Sequence, residues 1–244
     1  MLANALPKFE GLGNLRARKD VFARHYQVDR ILRRMLSAEA RPFSRSAVAE
    51  LFAQWGDPLS QAEESYVSSC LAHAQSTSGH ILQCGTGLLT LLLGIVCARN
   101  AASDQHLWCL VDDRHWAGVM RSWLTQYQVA NAHVVLSRPR IFENCVWYAL
   151  DPAKVPDNFS LALCDGGRAS VNGAVGLLER MGLRLRSDCV ILARHVTLAK
   201  DQALLQRWAD RRGVHCTLVE KSTGFLKIVR GDGRGADTVS PALP

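Results

Sequence analysis

The stretch His80-Ile81-Leu82-Gln83-Cys84-Gly85-Thr86-Gly87-Leu88-Leu89 governs the reading of the whole chain. Its first five residues form an apolar run of strand length, the glycines punctuate it, and an apolar stretch of helix length follows to Arg99. A strand that turns into a helix through glycines lets backbone N–H groups and the helix N-terminus come close to a bound ligand. Gly85-Thr86-Gly87 is therefore a candidate ligand turn, because its strand–turn–helix context is what gives a short glycine motif meaning. The competing reading is a tight connection that holds nothing.

Downstream of this turn the pattern repeats. Residues 107–111 read as a strand ending at Asp112-Asp113, 116–127 as a helix and 133–136 as a strand. After a long connection over 137–158, residues 159–164 form a strand ending in Asp165-Gly166-Gly167. Helix (171–182), strand (189–193) and helix (198–212) follow, and then two β-like runs at 215–220 and 225–229. Strands that alternate with helices form a parallel sheet covered on both faces, and near-continuous apolar strands such as Val190-Ile191-Leu192 agree. The last two runs are too close together for a helical crossover, so they pair antiparallel. The expectation is an α/β fold: a Rossmann-like, doubly wound, mostly parallel seven-stranded sheet over 78–230 with a C-terminal antiparallel hairpin. Residues 231–244, rich in glycine and ending in proline, are expected to be a disordered tail.

Upstream, residues 1–77 read as a helical extension or lid. Val21, Val28, Ile31, Leu32 and Met35 recur at helical spacing between arginines, and Arg41-Pro42 ends that helix. A second helix over 46–55 stops at Gly56-Asp57-Pro58. Ser60 followed by Glu63 is a capping-box pattern that opens a third.

Composition limits the function classes. The chain has 244 residues, 48% hydrophobic and 21% charged, with a formal net charge of +7. The early arginines (16, 18, 24, 30, 33, 34, 41, 45) alternate with Asp20, Asp29 and Glu39, so a solvated helix face outranks a nucleic-acid patch, and nucleic acid is not an expected partner. The eight cysteines form no C-x-x-C pair and have no metal-ligand spacing. Five of them (84, 109, 164, 189, 216) fall in or beside strand-like runs, as core thiols do in a reducing compartment. Residues 1–20 contain no apolar h-region, so no signal peptide is expected, and the longest apolar run, 88–98, is too short to span a bilayer. A soluble cytoplasmic protein with no membrane partner is expected.

Open α/β sheets bind ligands at the carboxyl ends of their strands, which selects the remaining candidates. Asp112 and Asp113 could accept hydrogen bonds from the ribose hydroxyls of an adenosine-containing cofactor; the bland alternative is loop solvation. Asp165 would face the same cleft, or would cap a helix. His195, after Arg194, could act as a general base, since imidazole titrates near neutrality, or could be merely solvated.

Together these segments resemble the class I S-adenosylmethionine-dependent methyltransferases, especially the small-molecule and sugar-tailoring group whose fourth strand ends in Asp-Gly. Asp113 with Trp116-Ala117, Trp147-Tyr148 before the Asp-Gly strand, Arg168 and Trp208 add to the likeness. The resemblance covers 78–230 and implies S-adenosylmethionine as cofactor, held by Gln83, Gly85, Thr86, Gly87, Asp112 and Asp113. It implies Asp165 and His195 as the residues that deprotonate or orient a small-molecule acceptor through oxygen or nitrogen. The positive charge suits an anionic acceptor, and the N-terminal helices suit a homodimer contact. Arg194-His195 stands where metal-dependent relatives carry acidic or amide ligands, and a cationic arginine opposes a divalent ion, so no metal is expected. Two departures are plain: Gln83 replaces an acid that contacts the cofactor's methionine part, and Val111 replaces the ribose acid. They motivate an alternative, a catalytically degenerate binding or partner protein with this fold. A nicotinamide-dependent oxidoreductase is a third reading. Thr90 at the third glycine position of G-x-G-x-x-G and the terminal hairpin speak against it.

Overall fold

The computed structural model describes residues 15–37, 43–100, 104–143, 145–164, 173–194, 215–219 and 225–229, together with Ala203, Gln206, Arg207 and Asp210. The chain divides into two compact units, Met1–Glu64 with Leu243–Pro244, and Ser65–Ala242.

In the first unit, helix α1 (Leu15–Leu36) packs on α2 (Arg45–Trp55). Val28, Ile31, Leu32 and Met35 are buried, the i, i+3, i+4, i+7 stripe of an amphipathic helix. Ser44 starts α2 by accepting a hydrogen bond from the Ala47 N–H through its hydroxyl at 3.3 Å. Gly56 ends it in the left-handed region at φ 89°, its N–H donating to Ala53.

Helix α3 (Gln61–Ser76) opens with the expected capping box: Ser60 N–H donates to Glu63 Oε2 at 2.9 Å, and Glu63 N–H to Ser60 Oγ at 3.4 Å. The division between the units falls inside this helix, whereas the sequence places it at 77/78. Most of α3 counts with the sheet for a physical reason. Tyr66, Val67, Cys70, Leu71 and Ala74 are buried, and Gln105 donates to the carbonyls of Ala74 and Thr77, each at 2.8 Å.

The strands are β1 (His80–Cys84), β2 (Leu107–Val111), β3 (Ala132–Leu136), β4 (Pro139–Ile141), β5 (Val146–Tyr148), β6 (Phe159–Cys164), β7 (Leu185–Arg194), β8 (His215–Val219) and β9 (Phe225–Val229). The main sheet is mostly parallel: β3, β2, β1, β6 and β7 lie side by side in that order, all parallel. Beyond β7 the sheet continues through β9 and β8, both paired antiparallel. Helices α4 (Leu88–Arg99), α5 (Arg114–Gln126) and α6 (Gly173–Met181) connect the parallel strands. From β1 the chain first winds outward through β2 and β3, then crosses to β6 on the other side. The boundary between β1 and β6 is thus the topological switch point of the sheet, the position where open α/β sheets bind ligands at their carboxyl ends.

Alternation along each strand sorts side chains to two faces. On one, Leu82, Cys84, Leu110, Ala162 and Cys164 form a single core with Leu177, Leu178 and Met181 of α6. On the other, Cys109 and Val111 meet Ala117 of α5, while α4 packs beside β2 and α5.

The connection over 137–158 corrects the sequence reading, which left it without structure. It contains the antiparallel pair β4–β5, and β5 delivers Trp147 and Tyr148, 0% and 2% exposed, into the core. Trp147 packs against α6 at Gly176, where a Cβ would stand 2.6 Å from the indole. Three-residue strands with exposed arginine and proline carry no periodic signal, so tertiary packing alone reveals them. Strand β7 also starts earlier than expected: Leu185 pairs with Phe159 and Val190 with Leu161, leaving 186–189 looped out between them. Of the expected helix at 198–212 only Ala203, Gln206, Arg207 and Asp210 are described, as helical; the 231–244 tail lies outside the described residues. Among the described residues, no helix is long and apolar enough to cross a membrane.

Candidate functional site

The turn after β1 is held from both sides. Gly85 adopts φ 112°, a conformation that L side chains rarely take, so glycine is required there. Its N–H donates to the Leu110 carbonyl at 3.1 Å, and its own carbonyl accepts from the Cys109 thiol at 3.0 Å. Gly87 is extended, and the space where a side chain would stand is empty to 4 Å. Thr90 closes the start of α4: the Gly87 N–H donates to Thr90 Oγ1 at 3.1 Å, and the Thr90 N–H to the Gly87 carbonyl at 3.0 Å. The sequence reading saw Thr90 only as a missing glycine; its hydroxyl in fact fixes the turn.

Two fully buried glutamines make an instructive contrast. Gln105 is completely paired, donating to Ala74 and Thr77 and accepting from Asn100 Nδ2 at 3.0 Å. Gln83, also 0% exposed, has neither its amide nitrogen nor its amide oxygen bonded. Most buried amides in folded proteins are hydrogen-bonded, because an orphaned one costs about 1–3 kcal/mol. Thr86 Oγ1 is buried as well, with only the weakly polar thiol of Cys109 near it. The end of β1 and the turn after it therefore carry unused hydrogen-bonding capacity.

The remaining candidates divide. Asp113 is the N-cap of α5, its Oδ1 accepting from the Trp116 N–H at 2.8 Å, so one carboxylate oxygen is already engaged. Asp112, half-buried at the end of β2, keeps its place at the carboxyl edge. Asp165 and His195, the two catalytic candidates, lie outside the described residues, as do Gly166, Gly167, Arg168 and Trp208. Arg194, the last residue of β7, sets its guanidinium 5.3 Å from the centre of the Tyr66 ring.

Sequence reasoning did not pick out the thiols and the phenol of this region as a group. Strand register places Cys84 beside Cys164 and Gln83 beside Cys109. Burial pushes the Cys109 thiol up to about 12 and Cys84 well above its ordinary value, so both stay protonated and serve as packing groups rather than nucleophiles. Burial, and then the neighbouring Cys84 and Asp112, also raise the Tyr148 phenol, which remains a hydrogen-bond donor across the physiological range. Among the described residues no three histidine, cysteine, aspartate or glutamate side chains converge as a metal site.

An adenosyl cofactor with a charged amino-acid tail needs a backbone it can approach, a carboxylate for ribose and polar partners for the tail. The open Gly87, Asp112 and the unpaired Gln83 amide fit those needs. Replacing Gln83 by leucine is accordingly expected to raise the stability of the ligand-free protein by about 1–2 kcal/mol, since it removes an unpaired buried amide and leaves apolar volume. Urea denaturation measures this, and a stability loss would show that the amide is paired in the folded protein.

No protein-family model matches the chain, and no curated protein does. Its fold is similar to solved structures. One is a candidate caffeoyl-CoA O-methyltransferase from Staphylococcus aureus, with 12% identity and a TM-score of 0.53, covering 86% of this chain and 100% of that one. Another is the O-methyltransferase NovP, with 8% identity and a TM-score of 0.52 over the same shares. At such identities the likeness establishes a Rossmann-like methyltransferase fold and nothing finer.

Proposed function

We propose that this protein transfers a methyl group from S-adenosylmethionine to an oxygen or nitrogen nucleophile of a small molecule, without a metal ion. The observation that carries this reading is the unpaired, fully buried Gln83 amide beside a positive-φ glycine at the switch point of a methyltransferase-type sheet. The cofactor, when bound, supplies an electrophilic methyl on a sulfonium. Gly85 and Gly87 give it close backbone access, Asp112 holds its ribose hydroxyls, and Gln83 and Thr86 bond its polar tail. Asp113 supports the site by anchoring α5. Asp165 and His195 are the proposed groups for taking the acceptor's proton and aiming its lone pair, and most of the acceleration would come from that alignment. Metal independence is supported by the cationic Arg194 at the end of β7, which disfavours a divalent ion at that edge. The basic charge of the chain supports an anionic acceptor.

Isothermal calorimetry with S-adenosylhomocysteine tests the reading. Saturable heat is expected, with none from NAD under the same conditions. No heat at millimolar S-adenosylhomocysteine would sink the proposal. A second reading, a binding protein without turnover, draws on Gln83 being neutral and Asp113 being occupied as a cap. Cofactor binding with no methyl transfer to any of a broad acceptor panel would favour it.

A further inference from the structure

Three imidazoles gather at the amino ends of the parallel strands, the end opposite the glycine turn. His80 opens β1, His106 immediately precedes β2, and His133 is the second residue of β3. His106 Nδ1 and His133 Nε2 are 2.8 Å apart, and the two rings stack with centroids 5.1 Å apart. His133 also stacks on Trp108 at 4.3 Å, and His80 meets His106 edge-on at 5.8 Å and Phe159 at 6.5 Å. The sequence separates these histidines too widely for any motif; parallel pairing of β1 with β2 and of β2 with β3 assembles them.

Asp104 Oδ1 stands 3.5 Å from His106 Nε2, and the 2.8 Å contact requires one of His106 Nδ1 and His133 Nε2 to carry the proton and the other to accept it. With a proton on both of these nitrogens the contact would set N–H against N–H at 2.8 Å. His80 Nδ1 is buried without a hydrogen-bond partner, so a proton there brings a charge with no acceptor against the neighbouring ring.

We propose that His80 and His133, packed on either side of the His106 ring, form an acid-sensitive latch on the β1-β2-β3 edge, closed while these two rings are neutral and opened when they take up protons. Among the described residues, the charged and titratable groups acting on His80 and His133 are Asp104 and the other imidazoles. Burial, then the neighbouring rings, hold His133 below the ordinary histidine value. Burial does the same for His80, partly offset by Asp104. In the unfolded chain each histidine titrates near about 6.5, so below that pH the unfolded state binds more protons than the folded one. The latch therefore contributes fully above about pH 6.5 and weakens progressively as the pH falls below it. This rests on the cluster alone and not on the cofactor reading.

The test compares thermal unfolding of the wild type with a His80→Phe/His133→Phe variant, which keeps the aromatic contacts and removes two titrating groups. His73, lowered to about 4 chiefly by burial, titrates in both proteins and cancels in the difference. Between about pH 7.5 and about pH 5 the wild type is expected to lose about 3 °C or more of Tm relative to the variant. An identical Tm-against-pH slope overturns the latch. Should the variant fail to fold, amide hydrogen exchange of the wild type decides. After correction for intrinsic rates, protection over 132–136 is expected to fall on acidification relative to 190–193, and an unchanged ratio overturns the proposal.

Discussion

Trp147→Ala is expected to destabilise the protein by about 3–5 kcal/mol, a fall in Tm on the order of 10 °C for a chain of this size. The indole is 0% exposed and belongs to the core shared by β1, β2, β6 and α6, with Tyr148 edge-on at 5.1 Å. Removing it leaves a cavity between a hairpin strand of three residues and a helix of nine, and a close-packed core relaxes only partly around such a loss. The contact with Gly176 supplies an internal control. A methyl at Gly176 meets rigid aromatic carbon at 2.6 Å, so Gly176→Ala in the wild type is expected to cost about 1–3 kcal/mol. In the Trp147→Ala background the indole is gone and only the Cβ of residue 147, at 3.3 Å, still meets the same methyl, so most of the cost is expected to vanish. Urea denaturation of the four proteins gives the coupling. Additive effects, or a Trp147→Ala loss below about 1 kcal/mol, would mean the hairpin does not dock on α6 in this way.

The second large effect separates two glycines that look alike in sequence. Gly85 has φ 112°, so Gly85→Ala is expected to cost about 1–3 kcal/mol in strain and to displace the turn. Gly87 is extended with nothing within 4 Å of a prospective Cβ, so Gly87→Ala is expected to leave Tm nearly unchanged. On the proposed function, that empty space is where the cofactor approaches the backbone. A methyl there is expected to weaken S-adenosylhomocysteine binding by about tenfold or more, the loss of roughly one well-made contact. Thermal shift and calorimetry read the two properties separately. Unchanged affinity in Gly87→Ala would remove this turn from the binding site while leaving the fold assignment intact.

The alternation of strands and helices, the glycine turn, the capping box at Ser60 and the terminal antiparallel pair were legible in the linear chain because each is a local matter. Period-2 and period-3.6 patterning, positive-φ glycine and side-chain caps act within a few residues, and their energetics do not wait for distant partners. Near the site, sequence order could name Gln83, Gly85, Gly87 and Asp112 as candidates, since strand ends are visible as places where an apolar run stops. It could not show that Gln83 is unpaired while Gln105 is fully bonded, that Asp113 is engaged as a helix cap, or that Thr90 closes the turn. Nor could it find the short β4–β5 pair or bring His80, His106 and His133 together. Those features depend on which strands become neighbours and in what register. That choice is made by burial across the whole sheet, where residues far apart in the chain exclude water jointly and no local signal records the outcome.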